Sequence, residues 1–178
     1  MSLSFRRFCL LGLLALLVAV APAAGPVLAA GPYVVTKTAD TDTTCASGTN
    51  CSLREAIKAA NAAPGTIQFS IPTSDPGYQA ASGTWRITVQ GSALPAISAG
   101  STTINGLGGD GKPKIELTGG GVLGRQGLLV TSANNTIKGL IINGFIATPQ
   151  GGFGIWLNGT GATGNTVSNN YIGTNALG

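Results

Sequence analysis

Histidine is absent from this sequence of 178 residues. Without an imidazole, the many Ser and Thr hydroxyls lack the usual neighbouring base, and no Gly-x-Ser-x-Gly turn is present to hold a nucleophilic serine. A zinc site would also lack its common nitrogen ligand. The sequence therefore predicts no catalytic residue of the serine-hydrolase type, no metal site and no cofactor.

Charged residues are scarce as well, at 9% of the chain, and no acidic residue follows Glu116. A glycoside hydrolase needs two carboxylates at a set separation, and a calcium-dependent lyase needs clustered acidic ligands and a basic proton acceptor. Asp40 and Asp42 could share one face, but we interpret them as turn caps and not as metal ligands. Arg125 and Lys138 are interpreted as single solvated cations.

Residues 1–30 have the three parts of a secretory signal peptide. Two arginines precede an uncharged apolar run over residues 9–20, and small residues lead to an expected cleavage site after Ala29 or Ala30. Pro22 interrupts the run before it reaches the roughly 20 residues that a membrane span needs. We expect a secreted or cell-surface protein with no membrane span in its mature chain. Loss of the two arginines lowers the formal net charge from +4 to about +2, which gives no basis for nucleic-acid binding.

Two cysteines, Cys45 and Cys51, remain after the signal peptide, and a five-residue loop separates them. In an exported protein, two such cysteines most simply form one disulfide. A pair of free thiols is the alternative.

The clearest helix signal follows these cysteines. Ser52 and Glu55 have the spacing of a capping box, in which each residue satisfies a backbone amide of the other. Four apolar residues recur at helical spacing and are expected to form the buried face: Leu53, Ala56, Ile57 and Ala60. The sequence predicts a short helix over residues 52–61, within an N-terminal cap unit that spans residues 31–65.

The second half of the chain repeats with a period near 30 residues. Residues 135–142 align with residues 165–172, and residues 127–130 align with residues 154–157. Short β-rich runs at this period, separated by Gly and Asn, are typical of a solenoid. We therefore predict an all-β fold, a parallel β-helix whose coils occupy residues 66–178.

Each coil of such a fold turns its apolar residues inward, and stacking of coils buries them. The predicted interior positions are Ile104, Ile115, Leu117, Leu129, Ile137, Leu140, Ile142, Ile155, Leu157, Val167 and Ile172. Asn135 and Asn165 occupy equivalent positions and are predicted to stack at one turn. Asn tolerates left-handed backbone angles at such turns, and its amides can bond to one another along a stack.

The first coil of a solenoid would expose open backbone groups and apolar interior, so a terminal cap is needed. We predict that the helix over residues 52–61 covers this end of the stack. Trp156 and Tyr171 are candidate carbohydrate contacts, because aromatic rings on a coil face can stack on sugar rings. Packing within or between coils is the alternative for Trp156.

The run Cys51-Ser52-Leu53-Arg54-Glu55-Ala56-Ile57, followed by Ala60-Asn61, resembles the N-terminal segment of a bacterial family of exported proteins. The family is named after its Cys-Ser-Leu-Arg-Glu-Ala (CSLREA) sequence and consists of right-handed parallel β-helices. The resemblance implies a right-handed coil and a role at the cell surface. Members usually continue through many more coils and often carry a C-terminal anchor. Because this sequence stops mid-repeat at Gly178, we expect a fragment whose partners include further coils of its own full-length protein.

These observations favour a non-catalytic module, adhesin-like or structural, that contacts polysaccharide or other cell-surface components. The alternative is the N-terminal part of a polysaccharide lyase or glycoside hydrolase of the pectin-lyase-like β-helix type. In that case the catalytic coils would lie beyond Gly178.

Overall fold

The computed structural model describes residues 30–45, 49–149 and 151–177. The predicted signal peptide, apart from its last residue, therefore lies outside the described residues. In chain order the elements are β1 (Ala30–Val35), α1 (Leu53–Ala62), β2 (Gly65–Phe69), β3 (Tyr78–Gln79), β4 (Thr84–Thr88), β5 (Thr103–Asn105), β6 (Ile115–Thr118), β7 (Leu128–Val130), β8 (Thr136–Lys138), β9 (Leu140–Asn143), β10 (Ile155–Leu157), β11 (Thr166–Ser168) and β12 (Tyr171–Ile172).

Strands from successive coils stack in parallel, which makes the fold a β-solenoid. Sheet A has the order β1-β2-β5-β8-β11, so five coils contribute to it. Sheet B has the order β3-β4-β6-β9-β12, and within it the short strand β3 pairs antiparallel with β4. Sheet C consists of β7 and β10, and a parallel bridge between Ile97 and Val130 extends it by one coil. This architecture confirms the predicted all-β solenoid with a short N-terminal helix.

The strand register shows that the sequence repeats are equivalent positions in successive coils. Thr136, Ile137 and Lys138 of β8 pair with Thr166, Val167 and Ser168 of β11. Leu128, Leu129 and Val130 of β7 pair in the same way with Ile155, Trp156 and Leu157 of β10. Like residues thus lie above one another at the usual spacing of about 4.8 Å between strands.

Columns of aliphatic side chains fill the interior. Ile67, Ile104 and Ile137 are aligned in sheet A, and all three are buried. Sheet B contributes a second column, with Ile87, Leu117 and Ile142 in register and buried. Since each fully buried aliphatic side chain contributes about 1.5–3 kcal/mol, the stacked columns stabilise coils that could not fold singly.

The prediction for Leu129 is wrong. Leu128 and Val130 are the buried residues of β7, and Leu129 between them is half-buried on the outer side. Successive side chains of a strand point to opposite faces, so an interior Leu129 would have turned both neighbours outward. The run Leu128-Leu129-Val130 is apolar throughout and gave no alternation from which to choose the inward face.

Four further predicted interior residues belong to the last described coil and are not fully buried. Leu157, Val167 and Ile172 are 46%, 39% and 57% exposed, although their partners in the preceding coil are buried. Ile155 in the same coil is half-buried. Their strands are the outermost ones of their sheets among the described residues. The predicted inward direction is therefore correct, whereas the predicted burial is wrong because no further described strand stacks on them.

At the opposite end of the stack, α1 packs against β1 and β2. All four residues of its predicted apolar face, Leu53, Ala56, Ile57 and Ala60, are buried. The side chain of Asn61 donates to the carbonyl of Ala96 at 2.7 Å and accepts from the amide of Ser98 at 2.9 Å. The helix is thereby attached to the chain segment around Ile97, which forms the first described position of sheet C.

None of the helices within the described residues combines the length and the apolar character that crossing a membrane would require.

Candidate functional site

The outer face of sheet B contains an open groove of about 600 Å³. Polar side chains from three successive coils form its floor, and a chain segment after β12 forms one wall. The lining residues with the clearest chemistry are Arg86, Thr88, Glu116, Thr118, Asn143 and Thr174. Its lining thus combines hydroxyl, amide, carboxylate and guanidinium groups, which are groups that form directed hydrogen bonds.

Strand register explains why these side chains meet. Arg86 of β4 pairs with Glu116 of β6, and Thr118 of β6 pairs with Asn143 of β9. Residues two apart in a strand share a face, so Arg86 and Thr88 project outward while Ile87 between them is buried. Three strands from positions about 30 residues apart in the chain therefore build one polar surface.

The groove holds one carboxylate, and both of its oxygens are engaged. Arg86 Nε donates to Glu116 Oε2 at 2.8 Å, and Asn143 Nδ2 donates to Glu116 Oε1 at 2.8 Å. The Glu116 side chain is 4% exposed, whereas that of Arg86 is 46% exposed. The carboxylate is therefore neutralised and held in place, and the exposed part of the pair is the guanidinium group of Arg86.

Asn143 also ties the wall of the groove to its floor. Its Nδ2 donates a second hydrogen bond, at 3.1 Å, to the carbonyl of Thr174. Glu116 thereby fixes Asn143, and Asn143 fixes the segment that follows β12. The floor is completed by Thr88 and Thr118, whose hydroxyls lie in neighbouring strands in register.

No acid–base pair of the kind used by glycosidases is present in this groove. Such enzymes use two carboxyl groups about 5–9.5 Å apart, and Glu116 is the one carboxylate among the lining residues. Within the described parts of the chain, no group of three or more His, Cys, Asp or Glu residues is placed to hold a metal ion.

No protein-family model, curated protein or solved structure matches this chain.

The two aromatic candidates for carbohydrate contact lie on different sheets. Trp156 is half-buried on sheet C, and its ring lies 5.2 Å, centroid to centroid, from that of Phe153. Tyr171 is 41% exposed on sheet B. It pairs with Ile141 of β9, and Ile141 pairs in turn with Glu116 of β6. The structure therefore does not bring Trp156 and Tyr171 together in one site. Tyr171 shares its sheet with the polar groove.

The predicted asparagine ladder is present and is more extensive than expected. Asn135 Nδ2 donates to Asn165 Oδ1 at 2.9 Å, and the backbone amide of Asn135 donates to the same oxygen at 2.8 Å. Asn135 Oδ1 in turn accepts from the amide of Thr102, one coil earlier, at 3.0 Å. Each side chain thus satisfies the backbone of the preceding coil at the same turn.

The left-handed backbone that we assigned to Asn135 and Asn165 belongs to the residues before them. Asn134 has a φ of 61°, and Gly164 has a φ of 62°. These residues make the turn, which leaves the following asparagine free to direct its amide along the stack. Asn170 performs a similar role at another turn, where it accepts from the amide of Leu140 at 2.9 Å. One residue makes the turn and the next forms the ladder, and the sequence does not show which does which because the two are adjacent.

The N-terminal unit contains the predicted disulfide and helix cap. Cys45 is bonded to Cys51, and Cys51 is fully buried. Ser52 and Glu55 form a capping box at the start of α1. Burial alone would raise the pKa of Glu55, but hydrogen bonds from the amides of Ser52 and Thr43 and the hydroxyls of Thr43 and Thr41 lower it from 4.5 to about 2.

Asp40 and Asp42 bind cations of α1, which corrects their interpretation as turn caps. Asp40 forms a two-pronged ion pair with Arg54, with both N–O distances at 2.8 Å. Asp42 pairs with Lys58 at the surface. Arg54 is 5% exposed and also donates to the carbonyls of Ser92 and Ala93. The helical pattern placed Arg54 off the apolar face, but the loop after β4 covers it.

Arg125 is not a solvated cation, as the sequence suggested. It is half-buried, and its guanidinium donates to the carbonyl of Val89. The buried carbonyl lies in the preceding coil, so no local pattern around Arg125 could have indicated this bond.

Sequence reasoning missed a column of threonines on the outer face of sheet A. Thr66, Thr103, Thr136 and Thr166 are in register in four successive coils. The next outward column contains Gln68, Asn105, Lys138 and Ser168. The sequence does contain a repeated Thr followed by Ile or Val. These threonines can be recognised as one column only when the strand register of every coil is known. Sheet A therefore offers a second regular polar face.

Proposed function

We propose that this chain is a non-catalytic, exported surface module of the CSLREA type that binds carbohydrate through the polar groove on sheet B. The observation that carries the proposal is the groove's composition. Its single carboxylate is paired with Arg86 and Asn143, which leaves hydroxyl groups and a guanidinium group for a ligand.

Several features favour a sugar as the ligand. The groove is polar and open, so it suits a ligand that offers many hydroxyl groups and keeps much of its hydration. Tyr171 lies in register with Ile141 and Glu116 and is partly exposed, which provides an apolar surface on the sheet face that carries the groove. The repeated coils multiply weak contacts, which gives avidity for a repeating polymer. The signal peptide predicted from residues 1–30 agrees with a location where polysaccharides are found.

The decisive experiment compares two isosteric substitutions on different faces. Thr88→Val removes a hydroxyl from the groove floor, and Thr103→Val makes the same change on the outer face of sheet A. Loss of one hydrogen bond costs about 0.5–1.5 kcal/mol. We therefore expect T88V to weaken polysaccharide binding by about two- to tenfold, since about 1.4 kcal/mol corresponds to a factor of ten. Binding is measured by affinity electrophoresis on a panel of plant and microbial polysaccharides.

The control variant decides which face binds. T103V should bind as the unmodified chain does. Weakened binding by T103V together with unchanged binding by T88V would assign the ligand to the threonine column of sheet A and contradict the groove. If the chain bound none of the polysaccharides in the panel, the proposal of carbohydrate binding would be wrong.

Catalysis is tested separately with the same polysaccharides. A non-catalytic module should release neither reducing ends nor unsaturated products during prolonged incubation. Release of either product by the purified chain, abolished by Glu116→Gln, would favour the lyase or hydrolase alternative. Glu116 is the appropriate residue for this test because it is the groove's carboxylate.

A further inference from the structure

The chain contains three Asn-Gly pairs, which differ in their hydrogen bonds and exposure. They are Asn105-Gly106, Asn143-Gly144 and Asn158-Gly159. Asn is a thermolabile residue, and a following Gly offers a backbone nitrogen unshielded by any Cβ. The three pairs share this local chemistry, so differences between them must come from their surroundings.

Hydrogen bonds restrain the first two pairs. Asn105 Oδ1 accepts from the amide of Leu107 at 3.2 Å, and the amide of Gly106 donates to the carbonyl of Lys138 at 2.9 Å. Asn143 Nδ2 is held by both Glu116 and Thr174 in the groove. Movement of either asparagine side chain toward the next backbone nitrogen would break these bonds.

Asn158-Gly159 has no such restraint. Both residues are exposed, in a turn directly after β10. Among the described residues, neither the Asn158 side chain nor the Gly159 amide has a hydrogen-bond partner. Gly159 has a φ of 87°, and an added Cβ there would meet no atom within 4 Å. The nitrogen of Gly159 is therefore open to approach from the neighbouring side chain.

We propose that Asn158 is a site of spontaneous deamidation in the folded protein. The backbone nitrogen of Gly159 attacks Cγ of Asn158, a new C–N bond closes a succinimide ring, and Nδ2 leaves as ammonia with the proton from the Gly159 amide. Water then opens the ring at either carbonyl. The products are aspartate and isoaspartate, and no oxidant or reductant is involved.

The modification changes the surface of the last described coil. No acidic residue follows Glu116 in the sequence, so the new carboxylate is the first negative side chain in that part of the chain. The isoaspartate product also lengthens the backbone by one carbon directly after β10, where the amide of Asn158 donates to the carbonyl of Val130 at 2.9 Å. The reaction therefore adds charge and loosens the end of a strand pair in sheet C.

The test is incubation of the folded chain in mildly alkaline buffer, followed by peptide mapping with fragmentation to locate each amide-to-acid mass change. We expect Asn158 to react first, with Asn105 and Asn143 slower by at least about tenfold because their reaction requires local opening of the structure. Asn158→Gln should abolish the early product. In denaturant, the three pairs should react at similar rates, because the protecting bonds are lost.

Two results would overturn this assignment. One is a folded protein in which Asn105 or Asn143 deamidates as fast as Asn158. The other is an Asn158 that reacts much faster in denaturant than in the folded state, which would show that the native turn protects it.

Discussion

The carboxylate of Glu55 joins the start of α1 to the loop that precedes it. Its Oε1 accepts from the hydroxyls of Thr41 and Thr43 and from the amide of Thr43, and its Oε2 accepts from the amide of Ser52. These donors stabilise the ionised form more than burial destabilises it, so the folded-state pKa is about 2. A single side chain of α1 thus fixes both the N-terminus of the helix and the loop that contains Thr41 and Thr43.

This lowered pKa makes stability dependent on pH. Because the folded pKa lies below the unfolded value of 4.5, the stabilisation is complete above about pH 5 and is lost as the pH falls through about 2. The difference corresponds to about 3 kcal/mol of unfolding free energy. We expect Glu55→Gln to be less stable than the unmodified chain at neutral pH and to lose less stability on acidification, as measured by denaturant unfolding.

Asp110→Asn is the control, because Asp110 is exposed and its ion pair with Lys114 is screened by solvent. It should leave the neutral-pH stability nearly unchanged. Equal acid sensitivity of Glu55→Gln and the unmodified chain would show that Glu55 is not the titrating group.

At the scale of elements, α1 differs from every other described element because it is the one helix on a stack of strands. It lies at the β1 end of sheet A, and the disulfide Cys45–Cys51 closes the loop just before it. A closed loop of this length contributes about 2–3 kcal/mol by restricting the unfolded chain. Buried Arg54 adds two more attachments, because it pairs with Asp40 and also donates to the carbonyl of Ser92 in the loop after β4. These contacts support the prediction that α1 is a lid, which here means a helix that covers the first coil of the stack.

The lid is tested by introducing charge on its buried face. Leu53→Asp with Ile57→Asp should cause aggregation, because two carboxylates cannot be buried there and the end of the stack would open. Ala62→Asp, at an exposed position of the same helix, should stay soluble. Size-exclusion chromatography and circular dichroism give the readout. A soluble, fully folded double variant would show that the helix is not needed as a lid.

The whole molecule is stabilised by stacking, so the same residue type should matter differently along the solenoid. Ile137 is 1% exposed between coils, whereas Ile172 is 57% exposed on the last described strand of sheet B. Removal of a fully packed aliphatic side chain leaves a cavity, and removal of an exposed one does not.

We therefore expect Ile137→Ala to lower the free energy of unfolding by about 2–5 kcal/mol. Ile172→Ala should lower it by less than about 1 kcal/mol. Urea unfolding of the 178-residue chain measures both values. Equal losses would show that the end of the stack is covered, for example by self-association, which light scattering would detect.

Local patterns in the sequence determined the class of fold and the position of its helix. The capping box, the apolar helix face and the cysteine pair each lie within a few residues, and all three are present. The period near 30 residues predicted the stacking of coils, because side chains at equivalent positions repeat every coil. Asn135 and Asn165 followed from the same period, and their amides bond as expected.

The tertiary structure alone decided which polar residues meet. Arg86, Glu116 and Asn143 come from three coils with unequal loops, so their separation in the sequence does not reveal their register. The same reason explains why Arg54 and Arg125 donate to backbone carbonyls of distant segments. Uniformly apolar runs such as Leu128-Leu129-Val130 carry no alternation, so only the packed core selects the inward face. A sequence specifies its repeats locally, whereas a groove exists only when the coils are stacked in one register.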